Sequence, residues 1–225
     1  MTPLAAAALV QVHHLKGDGT HVRSWGAPGV LDGQFNLPHG IAIHPDMDKV
    51  IVCDRENNRE HSAVLHLLCS ASLLLSKWQL LVAILVVLPE PPGVQIFTLE
   101  GEFVSSWFSH RACGVCVSGK SIYIAELGTH STVHGFGQWA DYSRWTPNIG
   151  NKISILTSAG EQVQRLGADS VGERPDEFLA SLHSVGVNSK GDIYAAEVSF
   201  VNGGGAMQAP AREMQSLHKW ERLPA

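Results

Sequence analysis

Short alternating segments recur along this sequence in the same order, and the repetition restricts the folds that it can adopt. In the first unit they lie at 33–43, 49–54, 94–97 and 102–107. A second unit follows at 113–117, 121–126, 152–156 and 162–166, and a third at 177–187, 192–197 and 216–220. The segments alternate apolar and polar residues and are separated by Gly, Asn or Asp, which is the pattern of strands joined by turns.

Units of four short strands at a spacing of about 40 residues are typical of a β-propeller, in which each unit forms one blade. The segment 21–25, His-Val-Arg-Ser-Trp, matches the last strand of the first unit, and we interpret it as the end of an earlier blade. Three units and part of a fourth are fewer than the six or so blades that close many such rings. We therefore expect an all-β propeller that is incomplete, with bare strand edges.

The predicted organisation has three parts. Residues 1–16 form a leader or a truncated strand, and the propeller occupies 17–59 and 94–225. The N-terminus has a short apolar run with no basic residues before it, which makes a weak case for secretion. The remaining segment, 60–93, does not fit the repeat, and we interpret it as an insert.

The insert is strongly apolar. Between residues 63 and 88, 20 of the 26 residues are apolar, which is long enough to cross a bilayer. Lys77 lies near the middle of this stretch, where a charge costs about 2.5–3.5 kcal/mol. A membrane-spanning insert is therefore the weaker interpretation. We expect a soluble protein, with a membrane as partner only if 63–88 is a genuine part of it.

The flanks of the insert suggest how it arose. Without 60–93, Arg59 joins Val94 in frame, and the two neighbouring strands enclose an Asn-Asn pair suited to a hairpin turn. The tripeptide Arg-Glu-His at the start of the insert can be encoded with a splice-donor-like GTGAG. Pro-Pro-Gly at its end can be encoded with an acceptor-like CAG. We therefore interpret 60–93 as a retained intron.

Charge and cysteine content exclude other classes of protein. The net charge is −5, which argues against a nucleic-acid partner because phosphate binding needs a positive surface. Four cysteines in 225 residues are too few to staple a chain of this length with disulfides. The core must therefore come from packed strands.

Alignment of the three units places chemistry-bearing residues at equivalent positions. His39, Cys113 and His183 coincide just before the innermost strand, and an acidic residue ends the second strand of each unit: Asp54, Glu126 and Glu197. Equivalent positions near the inner strands of a propeller face its central channel. Two imidazoles that converge there predict a transition-metal site, because neutral histidine nitrogens bind zinc.

The motifs Gly-Gln-Phe-Asn-Leu-Pro-His-Gly-Ile-Ala-Ile, Asp-Arg-Glu-Asn-Asn-Arg and Val-Gln-Ile-Phe resemble NHL repeats. More narrowly, the chain is similar to the propeller of the peptidyl-α-hydroxyglycine α-amidating lyases and their uncharacterised relatives. This resemblance covers residues 17 to about 220 without the apolar insert. It implies a six-bladed fold, zinc held by three histidines in the channel, and calcium as a second ion.

The same resemblance implies roles for three residues. His39 and His183 match two of the zinc histidines, and Arg55 matches the active-site arginine. The family's third histidine and its catalytic tyrosine belong to blades upstream of Gly33, and no residue here corresponds to them. Of the three tyrosines, Tyr123 and Tyr194 fall at strand positions typical of blade packing, and Tyr142 lies in an insertion.

Structural interpretations stand beside these roles. Each histidine can hydrogen-bond a backbone carbonyl, and Arg55 can bridge blades through Asp54 or Glu56. The repeated acidic residues can cap turns. Cys113 and Cys116 form a CxxC motif, but residues i and i+3 of a regular strand point to opposite faces, so the spacing does not predict a paired site.

Two functions follow for such a chain. One is a zinc-dependent lyase that cleaves the C–N bond of a peptidyl-α-hydroxyglycine, giving a peptide amide and glyoxylate, or an inactive descendant of that enzyme. The other is a non-catalytic NHL scaffold that binds a peptide or protein on its channel face. The sequence leaves open whether the chain is an enzyme, because a fold by itself does not specify activity.

The retained-intron interpretation predicts the structure of the transcript. Sequencing of full-length transcripts is expected to show Arg59 joined directly to Val94, and to show upstream exons that encode further blades. A population in which most transcripts contain 60–93 would contradict it.

Overall fold

The computed structural model describes residues 10–57, 93–127, 151–169, 172–178, 181–202 and 214–223. In this part of the chain the structure is all-β apart from one helical turn, α1 (Ser199–Asn202). The first four strands are β1 (Val12–Leu15), β2 (His21–Trp25), β3 (Ala27–Pro28) and β4 (Gln34–Phe35). The next four are β5 (Pro38–His44), β6 (Lys49–Asp54), β7 (Val94–Thr98) and β8 (Phe103–Trp107). The remaining seven are β9 (Ala112–Ser118), β10 (Ser121–Glu126), β11 (Lys152–Thr157), β12 (Gln162–Leu166), β13 (Leu182–Val187), β14 (Ile193–Glu197) and β15 (Leu217–Trp220).

Three antiparallel sheets form the blades. The first has the strand order β5-β6-β7-β8, the second β9-β10-β11-β12 and the third β13-β14-β15. Strands β1 and β2 form a separate hairpin, and β3 and β4 pair in parallel over two residues. The predicted all-β fold of propeller blades is confirmed.

One detail of the first blade differs from the sequence prediction. The segment 33–43 was expected to form one strand, but it is divided into β4 and β5. Leu37 separates them with a φ of 72°, a left-handed conformation that interrupts the extended backbone. The bend lies two residues before His39.

The hydrophobic core consists of layers between successive sheets. Alternate residues of β6 point to opposite faces, so Val50 and Val52 pack towards the N-terminal hairpin while Ile51 and Cys53 pack towards the second blade. A further layer joins the second and third blades and is centred on Phe178. Because hydrophobic layers cover both faces of β6, this strand is buried along almost its whole length, unlike a strand at a protein surface.

A tryptophan-on-glycine contact repeats between neighbouring units. Trp25, at the end of β2, packs on Gly101, and a Cβ added at Gly101 would lie 2.6 Å from the indole. Trp107, at the end of β8, packs in the same way on Gly160, where the distance would be 2.4 Å. Both glycines have positive φ in equivalent turns, at 88° and 84°. Strand β2 therefore packs against the first blade in the same way as β8, the outer strand of the first blade, packs against the second.

The inner strands β5, β9 and β13 approach one another closely. A Cβ on Gly40 would lie 2.4 Å from the backbone oxygen of Cys113, and one on Gly114 would lie 2.8 Å from the Cα of Ser184. Since the obstructing atoms belong to the backbone, only glycine permits this spacing. The two glycines follow His39 and Cys113 directly, so the same contacts bring those side chains together.

The strands on either side of the apolar insert pair with each other. Residues of β6 and β7 are in antiparallel register, with Cys53 opposite Val94, and the amide of Asp54 donates to the carbonyl of Gly93 at 2.8 Å. Residues 58–92 lie outside the described part of the chain, and so does the proposed membrane segment 63–88. In the described residues no helix is both long enough and apolar enough to cross a membrane.

The pairing of β6 with β7 predicts that residues 60–93 are dispensable for folding. A chain with Arg59 joined to Val94 is expected to fold, and its free energy of unfolding should rise by about 1–2 kcal/mol because a much shorter loop closes the hairpin. Urea denaturation followed by tryptophan fluorescence would measure this. A chain in which 60–93 is replaced by a Gly/Ser linker of equal length is the control for loop length. Failure of the shortened chain to fold would contradict the prediction.

Candidate metal centre

A β-bulge lies at the same place in each blade. In the first sheet, Pro38 pairs with Asp54 and Gly40 with Cys53, so His39 is the extra residue between them. Cys113 is the extra residue of the second sheet and His183 that of the third. Bulges redirect a side chain out of the regular alternation of a strand and are common beside functional sites. The three aligned positions therefore share a backbone feature as well as a place in the repeat.

A residue with positive φ precedes each bulge by two positions. The values are 72° at Leu37, 57° at Arg111 and 42° at Ser181. For residues with a Cβ such conformations cost about 1–3 kcal/mol and persist only when surrounding contacts enforce them. Each blade therefore maintains the same strained backbone just before a candidate ligand.

Buried carboxylates provide the enforcing contacts in the first two blades. Asp54 Oδ1 accepts a hydrogen bond from the backbone amide of Asn36 at 2.8 Å. Glu126 Oε1 accepts one from the amide of His110 at 3.1 Å. Both amides lie three residues before the bulged side chain. In the third blade Glu197 binds His218 at 2.9 Å, and the amide of Val198 donates to the carbonyl of Ser181.

Asp54 belongs to a dense polar cluster. Besides the Asn36 amide, its carboxylate accepts hydrogen bonds from the side-chain amides of Asn57 and Gln95. Burial raises the pKa of Asp54 to about 7, and these donors oppose the rise. The Asp54 carboxylate thus binds the backbone amide of Asn36, just before His39, which agrees with the turn-capping interpretation of the repeated acidic residues.

The three bulged side chains meet between the inner strands. His39 Nε2 and His183 Nε2 are 3.1 Å apart, and their ring centroids are 4.6 Å apart. A ligand atom of Cys113 joins them, so that the three lie within 4.8 Å of one another. His39 is exposed, His183 is half-buried and Cys113 is buried. The two histidines are thus more accessible to solvent than the cysteine.

Arg55 contacts this cluster from the end of β6. Its Nη1 lies 3.2 Å from His39 Nε2, and its Nε donates to Glu56 Oε1 at 2.9 Å. Arg111 Nη2 reaches the same oxygen of Glu56 at 3.3 Å, so one buried carboxylate links arginines from two blades. Because arginine can only donate, His39 Nε2 must be the acceptor, and its lone pair points into the cluster.

The surroundings keep the two imidazoles neutral. Partial enclosure of the ring and the nearby Arg55 and His183 lower the pKa of His39 to about 4. Desolvation and Arg55 also lower the pKa of His183. Burial raises the pKa of the Cys113 thiol to about 11, although Arg55 and Arg111 partly offset the rise. Neutral imidazoles offer the lone pairs that a transition metal requires.

The structure brings together the residues that the sequence singled out, and adds one. His39 and His183, which were aligned at one repeat position, lie together, and Arg55, which the resemblance singled out, contacts His39. Cys113 was aligned with them but was not predicted to be a ligand. Cys116 stays apart, with its Sγ 3.8 Å from the carbonyl of Val117. Both Tyr123 and Tyr194 are half-buried, and Tyr123 packs in the core.

The sequence of the first blade matches a known repeat family. The NHL repeat family model matches residues 35–61, which include β5, β6 and the residues His39 and Arg55. The chain carries an NHL repeat. A comparison of the whole NHL-repeat chain with curated protein sequences finds no match.

Structural comparison finds likenesses at low identity. Hydrazine synthase of Kuenenia stuttgartiensis aligns with a TM-score of 0.46 and 12% identity, covering 83% of this chain and 36% of that one. An oxidoreductase of Thermus thermophilus, described as a glucose dehydrogenase, aligns with a TM-score of 0.35 and 12% identity, covering 75% and 38%. The NHL-repeat chain thus spans little more than a third of either protein, and likeness at this level carries no information about activity.

The hydrogen bond from the Asn36 amide to the Asp54 carboxylate, which holds the backbone before the first bulge, can be tested by substitution of Asp54. In Asp54→Asn an NH2 group must face at least one of the donors from Asn36, Asn57 and Gln95, leaving buried groups unpaired. We expect the free energy of unfolding to fall by about 1–3 kcal/mol. Asp48→Asn is the matched control, because Asp48 is exposed in the turn at the other end of the β5–β6 hairpin. Equal stability of the two variants in urea denaturation would contradict the role.

Proposed function

We propose that the NHL-repeat propeller is a zinc-dependent lyase acting on peptidyl-α-hydroxyglycine substrates, with His39 and His183 as metal ligands and Arg55 as a catalytic residue. The observation that carries the proposal is the convergence of the two Nε2 atoms, 3.1 Å apart, from separate blades beside a guanidinium group. The resemblance of the surrounding motifs to the amidating lyases supplies the substrate class.

The geometry of the two histidines suits zinc. Tetrahedral zinc with Zn–N bonds of about 2.0–2.1 Å separates two ligand nitrogens by about 3.3–3.4 Å. The observed 3.1 Å needs only a small opening to admit an ion. Both imidazoles are neutral around pH 7, since the pKa of each is lowered. His39 is also an exposed residue, which favours access of an ion from solvent.

Zinc held at this position supplies Lewis-acid polarisation of a substrate oxygen. In the reaction a base removes the proton of the α-hydroxyl group, the carbon–oxygen bond becomes a carbonyl, and the C–N bond breaks. The electron pair of that bond passes to the amide nitrogen, which takes up a proton. The products are the peptide amide and glyoxylate, so that all atoms are accounted for.

Arg55 is the group of this chain that we assign to the developing negative charge. Its guanidinium donates to His39 Nε2 at 3.2 Å. The lone pair that accepts this hydrogen bond is the one that a bound metal would use. If His39 held a metal through this nitrogen, the hydrogen bond would be released and Nη1 of Arg55 could donate to a substrate oxygen. The ion pair with Glu56, itself almost fully buried, holds the guanidinium close to the cluster. Preorganised donors of this kind stabilise charge that appears in the transition state.

A non-catalytic scaffold that binds a peptide or protein is the second candidate. The specific observation in its favour is that members of the cluster bond to one another: His39 accepts from Arg55, and Arg55 pairs with Glu56, which also binds Arg111. Such a network can join two blades without any metal. Under this alternative Arg55 is a structural bridge, and the solvent-facing side of the cluster belongs to a binding surface.

Metal analysis and an activity assay separate the two candidates. The lyase proposal predicts one zinc ion per chain, lost in His183→Ala, and release of glyoxylate from a peptidyl-α-hydroxyglycine. Arg55→Ala should retain zinc but lower kcat by about 10²- to 10³-fold, the usual effect of removing one charge-stabilising donor. His21→Ala is the matched control, since this exposed imidazole contacts only a surface hydroxyl and a neighbouring histidine ring among the described residues. A folded chain without zinc or activity would favour the scaffold.

A further inference from the structure

Cys113 occupies the place of a third ligand in the candidate centre. It lies on β9, between the strands that carry His39 and His183, and it is the bulged residue of its sheet as they are of theirs. Its ligand atom lies within 4.8 Å of theirs. The three side chains therefore come from three successive blades, and a β-bulge directs each of them towards the others.

The distances admit a common ion. With a Zn–S bond of about 2.3 Å and Zn–N bonds of about 2.0–2.1 Å, tetrahedral geometry separates sulfur from nitrogen by about 3.5 Å. The observed upper bound of 4.8 Å requires an approach of at most about 1.3 Å to reach the tetrahedral separation, which a change in side-chain torsion can provide. The backbone need not move, and the glycine contacts between β5, β9 and β13 keep it in place.

We infer that His39, His183 and Cys113 together bind one zinc ion as a His2Cys site, with the fourth position open to solvent. This inference rests on the zinc site proposed above and changes its ligand set from two protein ligands to three. Three protein ligands and one open position are the usual arrangement of catalytic zinc. Because His39 is exposed and Cys113 is buried, we expect the fourth position on the solvent-accessible side of the cluster.

Two guanidinium groups near Cys113 help to stabilise a bound thiolate. On binding, a metal–sulfur bond replaces the S–H bond and the proton passes to solvent. Burial raises the pKa of the thiol to about 11, and the guanidinium groups of Arg55 and Arg111 oppose that rise. A thiolate with two imidazoles is a donor set that selects zinc or cobalt over magnesium and calcium, which prefer oxygen ligands.

Cobalt(II) substitution tests this ligand set directly. The full-length chain, reduced and free of metal, is titrated with cobalt(II) and its absorption spectrum is recorded. Coordination by sulfur is expected to give a near-ultraviolet thiolate-to-cobalt charge-transfer band together with the visible bands of a tetrahedral ion. Cys113→Ser should lose the charge-transfer band and bind cobalt more weakly, by more than the roughly 10- to 100-fold that outer-shell changes cost.

Two cysteine variants serve as controls. Cys116→Ser changes a half-buried thiol three residues along the same strand, and Cys69→Ser removes the cysteine in the apolar insert. Both should keep the charge-transfer band. A band that persists in Cys113→Ser would overturn the inference by placing the sulfur ligand elsewhere. Tetrahedral cobalt binding without that band in the unsubstituted chain would also overturn it, while leaving the two-histidine site intact.

A measurement on the unsubstituted chain guards against failure of a variant to fold. X-ray absorption of the zinc-loaded protein should show one sulfur at about 2.3 Å in addition to nitrogen ligands. A first shell of nitrogen and oxygen alone would refute the role of Cys113. If the folded chain binds neither zinc nor cobalt, both this inference and the proposed zinc lyase fail together, which distinguishes that result from a failure of the thiolate alone.

Discussion

The arrangement at the centre of this molecule depends on buried carboxylates that hold the backbone ahead of the inner strands. Asp54 and Glu126 each accept a hydrogen bond from an amide three residues before the bulge of their sheet. These contacts help to hold the left-handed residues Leu37 and Arg111 in an unfavourable conformation. They thereby contribute to the bulges that redirect His39 and Cys113 out of the regular alternation of their strands.

Close packing of the inner strands supplies the second condition. Gly40 and Gly114 let the backbones of neighbouring blades approach to distances that any side chain would prevent. A ligand on each blade can therefore meet its neighbours, whereas strands at ordinary sheet-packing distances of about 10 Å would keep them apart. The geometry of the centre is thus a property of blade stacking, and a change in one glycine would act on two blades at once.

The charges around the centre explain why one site can support either a lyase or a scaffold. Glu56 is buried and holds Arg55 and Arg111, which come from different blades. The ion pairs hold the blades together and also keep a guanidinium beside the neutral imidazole of His39. An enzyme would use that positive charge on a reacting oxygen, while a scaffold would use the same network only for cohesion. The metal content of the folded chain separates these uses.

Much of this structure was predictable from local patterns. Strands β2, β6, β10 and β12 have the predicted bounds, because alternation and turn residues are short-range signals. The segment predicted at 177–187 forms a strand only over Leu182–Val187. The equivalence of His39 and His183 likewise followed from repetition. The role proposed for Cys113 did not follow from the sequence. Its CxxC motif was judged on the assumption of a regular strand, in which residues i and i+3 point to opposite faces.

By itself, then, the sequence determined the strands, their grouping into blades and the equivalence of the bulged positions. Tertiary structure alone decided that His39, Cys113 and His183 meet, and that Arg55 reaches them. The reason is that a bulge and a blade-to-blade distance depend on contacts between segments far apart in the chain. The hydrogen bond from Asn36 to Asp54 and the close approach of Gly40 to Cys113 are such contacts, and no local pattern encodes them.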